Sequence, residues 1–333
     1  MRQGNISRGG GFDERHAQEV DEMTEAGRDG LRVEASKRAM VSLEGLSCGD
    51  AFGECFFFEP RLRERLDGRV LPPGPWHFTD DTMMAISIAE TLWVHGEIAE
   101  ERLAGHFAQM YDPGRGYGPA MHGLLLRVLA RGGAVWREEA GSLFEGRGSF
   151  GNGSAMRVPP LGAYFADDLA RVVVEAERSA VTTHAHPEAV AGAIAVAVGA
   201  ALAWRSRAGD AAPDLREFLE GVRELVPPSE VRDGIDRARG LRETMTAREA
   251  GAMLGSGQRV SAMDTVPFVL WSAGRFLESY EEAMWQTVSA GGDMDTTCAM
   301  VGGIVAMRTG MEGIPEEWRR RREPLEGVLR REG

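Results

Sequence analysis

The chain has 333 residues, 43% of them apolar and 27% charged, a composition that suits one packed globule. Its formal charge of −13 argues against a nucleic-acid backbone or an anionic membrane as main partner. Cys48, Cys55 and Cys298 are odd in number, lack metal-type spacing and sit among small apolar residues, which fits reduced thiols packed in a cytoplasmic protein.

Residues 1–36 are rich in Gly, Arg, Asp and Glu, nearly free of apolar residues, and contain no apolar h-region of a secretory signal. They are expected to form a flexible tail, with one domain over 37–333. Between Arg38 and Gly53 the glycines Gly45, Gly49 and Gly53 recur every four residues, so one helix face is bare enough for another backbone to approach. Asp50, set among them, is either a buried cap or a site residue.

Pro72-Pro73-Gly74-Pro75 is a rigid loop that delivers Trp76-His77-Phe78-Thr79-Asp80-Asp81-Thr82 to the start of a helix over Met83–Val94. One carboxylate suits the free N–H groups of a first turn, whereas two adjacent ones repel each other. That surplus charge points to a cation. Tyr111 to Pro119 holds three glycines and two tyrosines, and reads as a pocket wall or a long turn. Ser149-Phe150-Gly151-Asn152-Gly153-Ser154 looks like a phosphate loop without its lysine, and N–H groups at a helix start can hold a phosphate without one. His184 and His186 have no third ligand at zinc-type spacing, so they read as polar ligand contacts or helix-entry bonds.

Helical periodicity runs over 97–110, 119–130, 168–181, 189–205, 214–225, 230–239, 246–254, 264–277 and 279–288. With no alternating strand run, no repeat and no internal linker, the fold is expected to be all-α. The longest apolar run, Ala189 to Trp204, is short for a membrane span and reads as a buried helix.

Near the end, Gly291-Gly292-Asp293-Met294-Asp295-Thr296-Thr297 runs into an apolar helix-like stretch. Clustered oxygen donors suit Mg²⁺, Mn²⁺ or Ca²⁺ rather than zinc, although Asp and Thr are also ordinary helix N-caps. An EF-hand starting at Asp293 would need Gly and Glu where Cys298 and Ile304 stand. Asp293-x-Asp295-x-Thr297 also has the look of an aspartyl-phosphate nucleophile motif, but only a short tail follows it and the residues before it make a poor strand.

Five loops in this order and spacing, Gly49 to Gly53, Thr79 to Thr82, Gly151 to Arg157, Thr183 to Pro187 and Gly291 to Thr296, resemble the ADP-ribosylglycohydrolase family, which includes the dinitrogenase-reductase-activating glycohydrolases. The similarity covers about Arg38 to Thr309. It implies a compact single-domain globule of orthogonal helices with two Mg²⁺ ions, or Mn²⁺ in their place, below an ADP-ribose cleft. By this resemblance Thr79, Asp80 and Asp81 match the ligands of one metal, and Asp293 and Thr296 those of the other, with Asp295 bridging. Asp80, Asp81 and Asp295 are then the catalytic candidates. Asp50, Gly116, Tyr117, Ser149, Phe150, Gly151, Asn152, Gly153 and His184 are the substrate-binding candidates. The family's usual Glu four residues after Gly53 is replaced by Phe57, and Glu54 or Glu59 is the candidate to stand in.

Two dications about 4 Å apart repel by roughly 17 kcal/mol at an effective dielectric near 20, which only converging carboxylates offset. The resemblance implies hydrolysis of the N- or O-glycosidic bond at ribose C1″ of ADP-ribose, an ADP-ribosylated protein or a related compound. Nucleic acid enters only as an ADP-ribosylated substrate, and a monomer is expected. The competing readings are a catalytically inactive ADP-ribose binder or structural relative, such as the family's lens crystallins, and an immunity-type protein against an ADP-ribosylating toxin.

Overall fold

The computed structural model describes residues 25–327 apart from residues 58, 60, 61 and 210. In chain order the helices are α1 Glu25–Glu54, α2 Leu62–Gly68, α3 Asp80–His95, α4 Glu100–Gln109, α5 Pro119–Arg131 and α6 Trp136–Gly146. They continue with α7 Pro159–Tyr164, α8 Leu169–Val181, α9 Pro187–Arg205, α10 Leu215–Leu225 and α11 Glu230–Arg239. The last are α12 Ala247–Leu254, α13 Ala262–Arg275, α14 Tyr280–Ser289, α15 Met294–Thr309 and α16 Glu316–Arg321. Among the described residues the only β-type pairings are two isolated bridges, so the fold is all-α as expected.

Local signals set these boundaries. Asp214 with Glu217 and Thr246 with Glu249 form capping boxes that start α10 and α12. Pro119 and Pro187 open α5 and α9, where a missing N–H costs nothing. The first helix begins at Glu25, twelve residues ahead of the start expected at residue 37. Ala35 is already buried, and Arg32 donates to the Trp93 carbonyl, so part of the supposed tail belongs to the fold. Residues 1–24 lie outside the described residues.

Three helices dominate the core. In α9 the run Ala191 to Ala201 is buried on every side, which explains its lack of a polar face. By length and composition this helix could cross a membrane, yet 72% of its apolar window is covered inside the fold. The other pair is α1 against α15. A Cβ on Gly45 would lie 2.5 Å from the Gly302 carbonyl oxygen, one on Gly49 2.2 Å from that of Cys298, and one on Gly53 2.3 Å from that of Met294. The glycine stripe is therefore a backbone-to-backbone seam, and it brings Asp50 on α1 beside the first turn of α15.

An aromatic cluster closes the bottom of α1. Phe52 stacks on Trp318 at 4.5 Å and meets Trp285 edge-on at 5.0 Å, with Phe56 and Trp76 alongside. Trp76 also exchanges backbone hydrogen bonds with the end of α16, through Arg321 and Glu323. The C-terminal segment thereby anchors the loop that leads into Thr79.

Candidate active site

The start of α3 is capped from outside. Asp50, wholly buried on α1, accepts from the Thr79 N–H at 2.9 Å, the Thr79 hydroxyl at 2.9 Å, the Thr82 N–H at 3.1 Å and the Thr82 hydroxyl at 2.5 Å. It ties the first turn of α3 to α1 and lies beneath Thr79, so it is a buried member of the acidic centre rather than a surface for substrate. Thr79 is itself the N-cap, its hydroxyl accepting from the Asp81 N–H at 3.4 Å, and with Asp50 taking the Thr82 N–H the helix start does not need the Asp80 and Asp81 side chains. Asp81 is 1% exposed; its Oδ2 faces the Thr79 hydroxyl at 3.0 Å and the Thr296 hydroxyl at 3.2 Å, while its Oδ1 has no hydrogen-bond partner. The single proton of Thr79 thus faces two carboxylates.

The second acidic pair enters from α15. Gly291 and Gly292 have φ of +70° and +83°, and a Cβ on Gly292 would lie 2.1 Å from the Ser256 carbonyl oxygen. This turn sets Asp293 at the N-cap position of α15, yet its side chain makes no capping bond. Instead the Asn152 amide donates to Asp293 Oδ2 at 2.7 Å and to the Thr265 hydroxyl at 3.2 Å. The ordinary N-cap reading of Asp293 therefore does not describe its side chain. Asp295 accepts from the Thr296 N–H at 2.8 Å, and the Thr296 hydroxyl reaches across to α3 at Asp81. Carboxylate oxygens of Asp50, Asp81 and Asp295 all lie within 4.8 Å of one another.

A glycine turn and a histidine border this centre. Ser149 is buried and accepts from the Gly151 N–H at 3.2 Å, and the Phe150 carbonyl accepts from Ala262 N–H at 3.0 Å. The Phe150 ring is partly exposed and meets His186 edge-on. A Cβ on Gly151 or Gly153 would lie 3.3 or 3.0 Å from His184 Nε2, so the buried imidazole faces the bare side of the turn. Gly116, exposed with φ of +85°, sits so that a Cβ would be 3.8 Å from Asp80 Oδ1. Tyr117 is 4% exposed, and its ring packs edge-on against Tyr111 at 5.0 Å and tilted against His122, which makes it a prop under the loop. Arg115 fastens that loop by donating to the Phe78 carbonyl at 2.8 Å and pairing with Glu323.

Burial drives the electrostatics. It lifts Asp50 to about 6 in spite of the four donors from Thr82 and Thr79, and lifts Asp80 to about 8, with the Asp50 charge adding to it. Burial also raises Asp81 and Asp295 well above the carboxylate range, with Asp50 and Asp293 respectively as the next cause. Asp293 is raised less strongly, since the Asn152 amide favours its charged form. Five carboxylates that share so few protons need either protonation or a cation. An oxygen-only donor set with a partnerless buried Oδ1 fits a hard divalent ion.

At the departure from the family pattern, Phe57 is 38% exposed. Glu59 pairs with Arg65. Glu54 lies one helical turn after Asp50, half-buried, and burial followed by the charges of Asp50 and Asp293 pushes its carboxyl up. Of the two candidates, Glu54 shares the field of the acidic centre. Thr82, Thr265, Thr183 and Arg157 also support the site and carried no separate sequence signal. Thr82, Thr183 and Arg157 lie inside the quoted motifs with no role assigned to them.

Comparison with known proteins gives the family of the chain. The sequence model of the ADP-ribosylglycohydrolase family matches residues 32–331. Human ADP-ribosylhydrolase ARH3 is 31% identical over 333 aligned residues, covering 87% of this chain and 91% of the relative. ADP-ribosylarginine hydrolase Tri1 of Pseudomonas putida is 26% identical, covering 86% of this chain and 74% of the relative. A solved structure described as an ADP-ribosylglycohydrolase-related protein complex superposes with a TM-score of 0.62 at 25% identity, covering 89% of this chain and 95% of that one. The five loops, the helical frame that gathers them and these matches together show that the chain belongs to the ADP-ribosylglycohydrolase family.

Proposed function

We propose that the chain is a metal-dependent hydrolase that cleaves the glycosidic bond at ribose C1″ of an ADP-ribosylated protein or a related ADP-ribosyl compound. Family membership supports hydrolysis of an ADP-ribosyl glycosidic bond in general. The observation that carries the metal is Asp81, buried, with one partnerless oxygen, in a cluster whose carboxylate oxygens from Asp50, Asp81 and Asp295 lie within 4.8 Å of one another. Thr79, Asp80, Asp81, Asp293, Asp295 and Thr296 would hold Mg²⁺ or Mn²⁺, with Asp50 beneath them and Glu54 at the edge. Such ions, when bound, supply Lewis acidity toward ribose hydroxyls and a water of lowered pKa.

The chain's own residues do the remaining work. The bare faces of Gly151 and Gly153, together with His184, would seat the diphosphate and ribose, while the Gly151 and Asn152 N–H groups are already bound to Ser149 and the Val260 carbonyl, and Gly116 lets the ligand lie against Asp80. Asp80 is the partly accessible member of the α3 pair, placed to take a proton from the attacking water while the C1″ bond breaks with oxocarbenium character. An inactive relative should have lost carboxylates from this set; here all are present, and Asp50, Asp81 and Asp295 converge, which favours an enzyme. The immunity-type reading leans on a tail whose first 24 residues lie outside the described residues.

Release of ADP-ribose should be assayed on a panel of arginine-, serine- and nucleobase-linked ADP-ribosyl substrates and small ADP-ribosyl esters, with Mg²⁺ and with chelator. At least one substrate should turn over, and only with metal. Turnover of none, or turnover indifferent to chelator, refutes the proposal.

A further inference from the structure

Arg157 is fully buried, yet no carboxylate pairs with it among the described residues. Its guanidinium lies 4.5 Å over the Phe107 ring and donates from Nη2 to the Ser179 carbonyl at 2.8 Å, at the C-terminal end of α8 where the helix dipole favours a cation. That bond alone would explain a structural C-cap. A second one goes further: Nη1 donates to the Thr183 hydroxyl oxygen at 2.9 Å, and that oxygen lies 2.7 Å from His184 Nδ1.

The donor inventory decides how this chain of contacts is polarised. A guanidinium only donates, so the Thr183 oxygen accepts from Arg157. That oxygen's second lone pair could also take a proton from Nδ1, but the buried hydroxyl proton would then be left without an acceptor, since among the described residues the one acceptor in its reach is His184 Nδ1. With Nδ1 accepting, a neutral imidazole carries its proton on Nε2, the atom that faces the bare sides of Gly151 and Gly153. We propose that Arg157 and Thr183 are positioning residues that hold His184 as the neutral Nε2–H tautomer, aimed into the glycine turn as a hydrogen-bond donor to an oxygen of the ADP-ribosyl ligand. The ligand half of this statement rests on the function proposed above; the tautomer does not.

The surroundings work in the same direction. Burial and the nearby Arg157 charge lower His184 to about 3, so the ring stays neutral. A neutral donor can meet a phosphate or ribose oxygen without adding positive charge beside the cation-holding carboxylates. Arg157, which burial lowers to about 9 and so leaves charged near neutral pH, cannot be the acceptor that would reverse the relay.

The test uses full-length protein with ¹⁵N-labelled histidine, the His184 signals being assigned by their loss in His184→Gln. Long-range ¹H–¹⁵N spectra of the metal-free protein near neutral pH should show His184 Nε2 protonated and Nδ1 unprotonated. Thr183→Val, which keeps the shape and removes the hydroxyl, should shift the ring toward the Nδ1–H form or a mixture, and Thr183→Ser should restore Nε2–H. ADP-ribose affinity by calorimetry should fall by roughly tenfold or more in Thr183→Val, the worth of one hydrogen bond to a charged oxygen, and recover in Thr183→Ser. Melting curves of both variants show whether they are folded. An Nδ1–H ring in the unmutated protein, or an unchanged tautomer in folded Thr183→Val, overturns the relay. A protein with the expected tautomer that binds no ADP-ribose overturns the ligand half and, with it, the proposed function.

Discussion

The seam between α1 and α15 offers a perturbation whose size follows from the coordinates. Gly49→Ala places a methyl group 2.2 Å from the Cys298 carbonyl oxygen and 2.8 Å from its carbon, where ordinary contact begins near 3.4 Å. Both atoms are helix backbone, so no side chain can turn aside and the helices must part by about 1 Å. Overpacking of this kind costs about 1–3 kcal/mol. With an unfolding entropy of about 2.1 cal/mol/K per residue over roughly 300 residues, that is a fall in melting temperature of about 2–5 °C. The consequence for the site is more telling, because the next residue is Asp50, which holds Thr79 and Thr82 in place. Mg²⁺ affinity should drop several-fold along with stability. Gly141→Ala is the control: a Cβ there meets nothing within 4 Å, and the helix propensity of Ala adds up to about 1 kcal/mol. Thermal unfolding and calorimetric Mg²⁺ titration of both variants decide the matter. If Gly49→Ala melts within about 1 °C of the parent and binds Mg²⁺ equally well, the seam does not position the site.

Other expectations concern the acidic centre. Asp80 at about 8 and Asp50 at about 6 are raised above their unfolded value, so between about pH 4 and pH 8 the chelated folded protein binds more protons than the unfolded chain. Its melting temperature should therefore fall as pH rises through this window, at up to about 1.4 kcal/mol per pH unit per proton, and Mg²⁺ should flatten the profile. A chelated protein that gains stability toward pH 8 would contradict the burial argument. Asp295→Asn removes a charge from the shared centre and should cut bound metal as well as rate, while Asp80→Asn should affect metal stoichiometry less; equal stoichiometry by elemental analysis in both would refute a bridging role for Asp295. Glu54→Gln should weaken Mg²⁺ binding more than Glu59→Gln, because Glu59 is engaged by Arg65; the reverse order in titration would return Glu59 to consideration.

Much of this site could be read from residue types before any coordinates. The Gly45, Gly49 and Gly53 stripe predicts a close helix seam, and α15 fills it. Adjacent Asp80 and Asp81 carry more charge than a helix start needs, and Thr79 and Asp50 satisfy that start in their place. The beginning of the fold was less legible, since residues 25–36 have few apolar side chains and their helix is held by Ala35 and by Arg32 reaching a distant carbonyl. The family resemblance puts Asp50 and Tyr117 against substrate, but burial decides their roles and burial depends on which helix crosses above them. Arg157 shows the same limit. Its meaning lies in Thr183 and His184, 26 and 27 positions later, which no local spacing connects.

The claim at the centre of this account is that the converging carboxylates hold the divalent metal on which ADP-ribosyl hydrolysis depends. Mg²⁺ titrated into chelated protein, followed in parallel by heat of binding and by recovered release of ADP-ribose, tests it most directly. Activity should return in step with occupancy of the carboxylate site, and Asp81→Asn should lose both. Full activity without bound metal, or saturable Mg²⁺ binding that Asp81→Asn leaves untouched, would contradict it.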